Sequence, residues 1–303
     1  MESNLVKVAS IDLGSNSTRL LIGNVKDGKI FTIVKRHEVT RMGEGIDENN
    51  FINLDAQKRV FKVLKKYFNE IKKNNVEQIF IVGTAALRDA TNQNEVINKI
   101  ENMFETNVNV ISGVEEGYLT SLGVLNNSEI NNNYLIIDIG GRSTEFVFNE
   151  NNKVISISTD LGVVSLSEKY FSNLPINSNL LFEAEKFVED RLPNIENLKN
   201  REYFGVAGTF TSLGSIYLDQ SQFNEDALHL LEIDKDSIFN IFKQVLNFSE
   251  AKILSRYKGI DPKRAPTITS GIFLATKIIK KYNIDVIKVS NCDILEGLIL
   301  KNY

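Results

Sequence analysis

The chain has 303 residues, of which 42% are hydrophobic and 24% charged, the balance of a globular protein long enough for two domains. No apolar run approaches the roughly 18 residues of a membrane span, the N-terminus shows no signal-peptide pattern, and Cys292 is the only cysteine. These features exclude a spanning or secreted protein and predict a cytoplasmic one. With only His37 and His229 present, imidazole metal sites are not expected.

The net charge is −4, which does not indicate a nucleic-acid-binding protein, and no membrane partner is expected. The charge is unevenly distributed. Residues 1–125 are neutral, residues 126–251 carry −10, and residues 252–303 carry +6. The basic C-terminal segment could contact a polyanionic ligand, but composition alone favours a solvated helix surface.

The first predicted elements are three β-strands in VASIDLGSNSTRLLIGNVKDGKIFTIVK, joined by a Gly/Ser turn and a hairpin. A helix with 3.6-residue periodicity follows over 54–73, and a strand over 78–82. The next elements are a short helix over 85–90, an amphipathic helix around 96–104, a strand over 108–111, and a helix from Glu115 to a break at Asn126-Asn127.

The sheet unit then occurs again as YLIIDIGGRSTEFVFNENNKVISIST. A shift of 126 residues superposes Asp12 on Asp138, Gly14 on Gly140, Ser17 on Ser143 and Thr18 on Thr144. Later helices are predicted near 180–192, 237–246 and 265–282, with strands over 202–206 and 285–290 and a last helix from Asp293. Two copies at this spacing predict a duplicated α/β fold with lobes 1–125 and 126–303, the final helix being free to pack back on the first lobe.

The two glycine-containing turns that follow Asp12 and Asp138 are candidate phosphate-binding sites. Glycine lets backbone N–H groups come close to an anion, and the neighbouring hydroxyl side chains add donors. For one turn alone a plain hairpin explains the residues better, but two matched copies favour phosphate. Neither a GxxxxGK[ST] P-loop nor a GxGxxG after a strand is present.

Three further stretches carry residues suited to phosphate chemistry, each with a structural alternative. In ISGVEEG, one of Glu115 and Glu116 is a candidate base for water, although acidic residues also suit a helix N-terminus. Arg88 can bind phosphate oxygens with two N–H groups or pair with a surface acid. Gly208 and Thr209 precede a helix whose N-terminus suits an anion, or which Thr209 simply caps.

Six motifs resemble those of the exopolyphosphatase/guanosine pentaphosphate phosphohydrolase (Ppx/GppA) family and occur in its order: IDLGSNSTRLLI, GTAALRDATN, ISGVEEG, IDIGGRSTEF, LGVVSLSEKYF and VAGTFTSLG. The resemblance extends to GIDPKRAPTITSGIFLATKII and VSNCDILEG, so it covers nearly the whole chain and matches the short two-domain type. That family belongs to the actin/sugar-kinase/Hsp70 superfamily. The resemblance implies two actin-like (ribonuclease H-like) lobes with mixed five-stranded sheets, flanked by helices and separated by a cleft.

The resemblance also implies a hydrolase that uses Mg²⁺ or another divalent cation to remove terminal orthophosphate from inorganic polyphosphate, or the 5′ phosphate from guanosine pentaphosphate. By position, Glu116 is the implied catalytic base and Arg88 a phosphate clamp. Asp138, Glu145 and Asp12 are the implied metal-side carboxylates. The implied phosphate-binding residues are Gly14, Ser15, Asn16, Ser17, Gly140, Gly141, Arg142, Ser143, Thr144, Gly208 and Thr209.

Three residues depart from the family's motifs. Arg142 stands where a third glycine is usual, and Leu230 follows His229 where glycine is common. Leu295 stands where the pattern VSxxGLREG has an arginine. This last departure resembles the loss of a contact with the nucleotide substrate, so it weakens the guanosine pentaphosphate assignment more than the polyphosphate one.

Several functions remain in competition. The leading interpretation is a cytoplasmic exopolyphosphatase, with guanosine pentaphosphate or tetraphosphate, the ligands of the stringent response, as alternatives. An ATP-dependent small-molecule kinase of the same superfamily is a second interpretation, which the Glu-Glu helix start and the GGRSTE turn disfavour. The third is a regulator that binds polyphosphate or alarmone without hydrolysing it. A homodimer is left open.

Overall fold

The computed structural model describes residues 5–46, 50–126, 133–196, 198 and 201–303. Two compact units are present. Unit 1 consists of Met1–Ser128 with Cys292–Tyr303, and unit 2 of Glu129–Asn291. The break expected at Asn126-Asn127 falls at the edge of a gap in this description, and Asn127 lies outside the described residues.

Unit 1 alternates strands and helices in the predicted order. Its elements are β1 (Val6–Leu13), β2 (Ser17–Lys26), β3 (Lys29–Val39), α1 (Leu54–Lys73), β4 (Gln78–Gly83), α2 (Ala85–Asp89), α3 (Gln93–Phe104), β5 (Val108–Val110) and α4 (Gly113–Leu125). The last helix of the chain, α11 (Ile294–Lys301), also belongs to this unit.

The sheet of unit 1 has the strand order β3-β2-β1-β4-β5. β1, β2 and β3 are antiparallel neighbours, whereas β4 is parallel to β1 and β5 is parallel to β4. The sheet is therefore mixed. The carboxyl ends of β1, β4 and β5 lie at one edge, the usual place for ligand binding in an open α/β sheet.

Both faces of this sheet are covered because successive side chains of a strand point to opposite faces. On one face Ile11 and Leu20 pack against α1, a helix that Asn53 caps by accepting the Ala56 N–H at 2.8 Å. On the other face Val8 and Leu21 pack against α11. The same alternation places Asp12, four residues after Val8, on the face that α11 covers.

Unit 2 repeats this plan and extends it. Its elements are β6 (Tyr134–Ile139), β7 (Thr144–Glu150), β8 (Lys153–Thr159), α5 (Val163–Tyr170), α6 (Ser178–Glu189), β9 (Glu202–Val206), α7 (Ala207–Tyr217), β10 (Leu231–Asp234), α8 (Lys235–Leu246), α9 (Glu250–Arg256), α10 (Ala265–Tyr282) and β11 (Val286–Val289). The largest apolar cluster packs the central helix α10 against residues of β6 and β7.

The sheet of unit 2 has six strands in the order β10-β11-β9-β6-β7-β8, one more than the five expected. The additional strand, β10, pairs antiparallel with β11 at the edge. It has only four residues, the lower limit for recognising a two-residue hydrophobic period. Its pairing with β11, which is distant in sequence, decides its conformation. The mixed α/β fold with helices flanking two sheets is otherwise confirmed.

Among the described residues no helix combines the length and apolarity required to cross a bilayer.

Candidate functional site

The duplicated turns are closed by the same backbone hydrogen bond. We call the turn from Gly14 to Ser17 turn 1 and that from Gly140 to Ser143 turn 2. The first N–H donates to the last carbonyl at 3.0 Å in turn 1 and at 2.9 Å in turn 2. A Cβ atom on Gly14 would lie 2.9 Å from the Ser17 carbonyl oxygen, and one on Gly140 would lie 3.1 Å from that of Ser143. Both turns therefore use glycine for a close backbone approach.

The carbonyl oxygens inside turn 1 are engaged by the segment that follows β3. Ser15 O accepts the Gly43 N–H at 2.8 Å, and Asn16 O accepts the N–H groups of Thr40 and Arg41 at 3.0 and 2.9 Å. Because these oxygens are occupied, the polar backbone groups that turn 1 can offer to a ligand are its N–H donors.

Turn 2 is held in the same way by the start of α5. Gly140 O accepts the Val163 N–H at 3.0 Å, and Gly141 O accepts the Val164 N–H at 2.7 Å. The two turns thus share both their closing bond and the engagement of their carbonyl groups. The duplication seen in the sequence extends to hydrogen bonding.

Two predicted ligand hydroxyls are engaged within the protein. Ser15 Oγ accepts the Ala86 N–H at the start of α2 at 3.1 Å, and Thr144 Oγ1 donates to the Leu161 carbonyl oxygen at 2.5 Å. Both residues are buried. These hydroxyls bind protein groups and so stabilise the segments around the turns. A sequence pattern does not distinguish this role from ligand binding.

Each turn follows an aspartate whose cross-strand partner differs between the units. Asp12 on β1 lies opposite Arg19 on β2. Asp138 on β6 lies opposite Glu145 on β7. Arg19 and Glu145 are themselves 126 residues apart, so the duplicated position carries a cation in unit 1 and a second carboxylate in unit 2.

In unit 1 the Asp12 carboxylate is compensated by Arg19. Its Oδ2 accepts from Arg19 Nε at 2.9 Å and lies 2.8 Å from Nη2. Its Oδ1 is buried and has no hydrogen-bond partner in the described part of the chain. Burial raises the pKa of Asp12, and the nearby Arg19 charge opposes that rise. Only Oδ1 remains for the metal-ligand role expected of Asp12.

In unit 2 the two carboxylates fit a divalent cation. Asp138 is 6% and Glu145 1% exposed, and Ser158 Oγ donates to Glu145 Oε1 at 2.8 Å. Like charges directly opposite on adjacent strands repel one another, and a cation between them removes that cost. Within the described ranges no group of three or more His, Cys, Asp or Glu side chains is suited to a metal. Two carboxylates nevertheless suffice for Mg²⁺, which usually keeps water and substrate oxygens as its other ligands.

The paired glutamates begin α4 at the carboxyl edge of the unit 1 sheet. Ser112 caps the helix by accepting the Glu115 N–H at 3.2 Å. Glu115 forms an ion pair with Lys301 of α11 at 2.6 Å, and both glutamates are half-buried. Glu115 therefore has a structural contact, as the structural alternative predicts.

Arg88 at the end of α2 lies close to the start of α4. Its Nη1 donates to the Ile111 carbonyl oxygen at 2.9 Å, and its Nε is 3.6 Å from Asp89 Oδ1. The surface pair considered from the sequence is therefore present, and a second bond ties α2 to the segment before Glu116. The Arg88 side chain is 31% exposed, so part of it is accessible to a ligand.

Gly208 and Thr209 lie in the first turn of α7, directly after β9, where Val206 is the β-sheet neighbour of Asp138. Arg264 Nη1 donates to Gly208 O and, at 3.1 Å, to Ser212 Oγ. A side chain at position 208 would overlap this guanidinium. Arg264 therefore belongs to the candidate site, although the sequence analysis did not single it out.

The departures from the family's motifs have different structural settings. Leu230 has φ +58°, in the left-handed region that glycine favours, and its N–H donates to Val289 O at 2.7 Å. Leu295 is fully buried against Val8 and Leu21. An arginine at position 295 would have to displace this apolar contact.

The backbone of Arg142 packs directly against Gly162. A side chain at position 162 would collide with it. Arg142 is not among the described residues with positive φ, so its backbone does not require glycine.

We expect Arg142→Gly to fold normally and to change the KM or the chain-length preference for polyphosphate, since the guanidinium of turn 2 is lost. Steady-state kinetics on long and short chains check this, and an unchanged KM for both would show the arginine to be incidental.

Arg59 of α1 is a further residue that the sequence did not reveal. Its Nε donates to Thr40 O at 2.7 Å, and its Nη2 donates to Arg41 O at 3.0 Å and to Glu44 Oε2 at 2.6 Å. This side chain fixes the segment that holds turn 1. A single arginine in a sequence that predicts a helix does not indicate such a contact.

We expect Arg59→Ala to lower the free energy of unfolding by about 1–3 kcal/mol, the usual value of hydrogen bonds from a charged group. The KM for polyphosphate should rise at the same time, because turn 1 loses its support. Urea unfolding and steady-state kinetics measure both effects. Lys58→Ala is the matched control: its pair with Asp55 is exposed, so it should cost no more than about 0.5 kcal/mol. Equal effects of both variants would contradict the role of Arg59.

Each unit thus gathers its own set of predicted residues at the carboxyl edge of its sheet. Unit 1 holds turn 1, Asp12, Arg88 and Glu116, and unit 2 holds turn 2, Asp138, Glu145, Gly208 and Thr209. Successive backbone N–H groups in tight turns can form concavities suited to anions such as phosphate. The fold is actin-like.

The sequence matches the Ppx/GppA phosphatase family over residues 21–303, and the chain belongs to that family.

Three relatives of this chain are named for different activities. The chain is 34% identical, over 97% of its length, to a bifunctional 3-dehydroquinate synthase/phosphatase of Fusobacterium nucleatum, of which it spans 46%. It is 29% identical over 96% to a guanosine-5′-triphosphate,3′-diphosphate pyrophosphatase of Vibrio cholerae, of which it spans 58%. It is 27% identical to exopolyphosphatase 2 of Mycobacterium tuberculosis, with 98% of both chains covered. The chain therefore spans about half the length of the first two relatives.

Two solved structures have the same fold over nearly the whole chain. An exopolyphosphatase-like protein superposes with a TM-score of 0.92 at 25% identity, covering 100% of this chain and 98% of that one. The Ppx/GppA family member of Aquifex aeolicus superposes with a TM-score of 0.81 at 27% identity, covering 99% and 98%.

Proposed function

We propose that this protein is an exopolyphosphatase that hydrolyses terminal orthophosphate from inorganic polyphosphate with a divalent cation, Mg²⁺ in the first instance. The observation that carries the proposal is the asymmetry of the duplicated position, which has Arg19 opposite Asp12 but Glu145 opposite Asp138. The second pair places two carboxylates next to turn 2, the proposed phosphate-binding turn. A divalent cation held by these carboxylates would also neutralise phosphate oxygens, so that carboxylates and phosphate can lie at one site.

Phosphoryl transfer from a polyanion depends mainly on positioning and charge neutralisation. When bound, the cation would be held by Asp138 and Glu145 and would neutralise charge on the phosphate oxygens. The N–H groups of turns 1 and 2 bind phosphate oxygens, and Arg88 contributes part of its guanidinium.

Glu116 acts as the general base in this proposal. Its carboxylate accepts a proton from the water that attacks the terminal phosphorus, and orthophosphate leaves as the P–O bond to the remaining chain breaks. General-base assistance of this kind is worth about 10²–10⁴ in rate. Glu116 rather than Glu115 fits this role because Lys301 engages Glu115.

Polyphosphate is preferred over guanosine pentaphosphate because Leu295 is part of the apolar core of unit 1. Hydrolysis of guanosine pentaphosphate stays the alternative, and the Vibrio cholerae relative carries such a name. A cytoplasmic location and a connection to the stringent response belong to the same proposal.

A parallel assay tests the function: orthophosphate release from long polyphosphate, short polyphosphate and guanosine pentaphosphate, each with Mg²⁺ and with EDTA. We expect Mg²⁺-dependent release from polyphosphate without any acceptor. Release from the nucleotide alone would establish the alternative. Tight binding without turnover would favour a regulator, and phosphate transfer that requires an acceptor would favour a kinase.

A further inference from the structure

Asp293 occupies the N-cap of α11, the C-terminal helix, and is 5% exposed. It forms a capping box: its carboxylate accepts the Leu295 N–H at 3.1 Å, while Glu296 Oε2 accepts the Asp293 N–H at 2.9 Å. The start of α11 is thereby fixed locally. The sequence analysis noted Asp293 only as the start of the last helix.

Besides capping, Asp293 binds Arg19, the partner of Asp12. Arg19 Nη1 donates to Asp293 Oδ2, while Nε and Nη2 face Asp12 Oδ2. The three side chains are 15% (Arg19), 6% (Asp12) and 7% (Asp293) exposed. One planar guanidinium is thus held between two buried carboxylates, a geometry that removes its rotational freedom.

This cluster lies next to turn 1, which begins two residues after Asp12. A Cβ atom added to Gly14 would lie 3.5 Å from Asp12 Oδ2, the oxygen that Arg19 binds. Arg19 therefore holds the carboxylate that borders the turn. On the same face Ser10 Oγ donates to the Leu295 carbonyl oxygen at 2.9 Å, so α11 follows β1 up to this point.

We propose that Asp293 is a positioning residue for turn 1: by sharing Arg19 with Asp12, it couples the start of the C-terminal helix to the phosphate-binding turn. The nature of the ligand rests on the proposed function, but the coupling itself does not. α11 has a further ion pair at its opposite end, where Lys301 Nζ lies 2.6 Å from Glu115 Oε1 of α4. That pair involves none of the three side chains of the cluster and supplies a matched control.

Three variants separate positioning from helix capping. Asp293→Ser keeps an N-cap oxygen but is too short to reach Arg19. Asp293→Asn keeps both the cap and an acceptor for the guanidinium. Lys301→Met removes the ion pair with Glu115 and changes no residue of the cluster. All three are compared with the wild-type protein at a temperature where each is folded.

We expect kcat/KM for polyphosphate to fall roughly tenfold in Asp293→Ser, because small displacements of binding groups are costly. Asp293→Asn should recover most of that loss, and Lys301→Met should stay within about twofold of wild type. Asp293→Ser kinetics within twofold of wild type, or an equal loss in Lys301→Met, would overturn the proposal.

A second readout needs no substrate. The Arg19 Nε proton, followed by ¹⁵N-resolved NMR, should exchange with solvent at least about tenfold faster in Asp293→Ser than in wild type or Asp293→Asn, because the guanidinium loses one anchor. Equal exchange rates would refute the coupling. If wild-type protein releases no phosphate from any substrate while the exchange rates differ as expected, the proposed function fails and the coupling stands.

Discussion

Glu116→Gln is expected to lower the turnover of polyphosphate by about 10²–10⁴ while leaving polyphosphate binding within a few-fold of wild type. Glutamine keeps the size of the side chain but cannot take a proton from water. The measurement is kcat from orthophosphate release with Mg²⁺, combined with calorimetric binding of polyphosphate. Because the substitution is nearly isosteric, the thermal unfolding temperature should change little.

Glu115→Gln is the matched control, since it changes the neighbouring carboxylate on the same helix turn. Glu115 is 40% exposed and paired with Lys301, so loss of its charge should change kcat by less than about twofold. Near-normal turnover in Glu116→Gln would remove Glu116 from the mechanism. Equal losses in the two variants would indicate a general effect on the start of α4.

Gly297→Ala is expected to lower the free energy of unfolding of unit 1. Where α11 crosses α4, a Cβ on Gly297 would overlap the Leu119 carbonyl oxygen, and one on Gly123 would overlap that of Asp293. The helices therefore pack backbone against backbone. Overpacking of this kind costs about 1–3 kcal/mol, which outweighs the gain of up to about 1 kcal/mol from replacing a helical glycine with alanine.

Urea unfolding measures this effect, and Gly214→Ala provides the control. Gly214 also lies inside a helix, α7, but an added Cβ would meet side-chain methyl groups of Leu228, Leu231 and Val289 at 3.1, 3.4 and 3.8 Å. A shift of a few tenths of an ångström by these methyl groups would relieve the contact, so Gly214→Ala should be nearly neutral. Turnover should fall in Gly297→Ala as well, because α4 carries Glu116. A Gly297→Ala protein as stable as wild type would show that the helices can separate without cost.

Much of the fold follows from local patterns in the sequence. Helix α1 spans Leu54–Lys73, the range that its 3.6-residue periodicity predicts, because an amphipathic helix with its own cap is decided locally. Strand β10 and the short helix α9 were not predicted. Each is short, and β10 exists because it pairs with β11. Such pairing is a property of the folded chain.

The candidate site also has features that the sequence predicts and features that depend on the folded chain. The duplication by itself identified both glycine turns and both aspartates, since a repeated strand–turn–strand unit needs the same glycine at the same closing bond. It could not separate hydroxyls that bind a ligand from those of Ser15 and Thr144, which stabilise the protein. Residue type is identical in the two cases, and only the partner atom differs.

The sequence by itself determined the two-unit α/β plan, the family, and the residues at the strand ends, because hydrophobic period and turn chemistry are written in neighbouring residues. Tertiary structure alone decided which glutamate is engaged by Lys301, which cation compensates Asp12, and that Asp293 reaches Arg19 from 274 residues away. These outcomes depend on which side chains meet when distant strands and helices pack. Burial makes these contacts important for stability, because a charge removed from water is costly unless a partner within the fold compensates it.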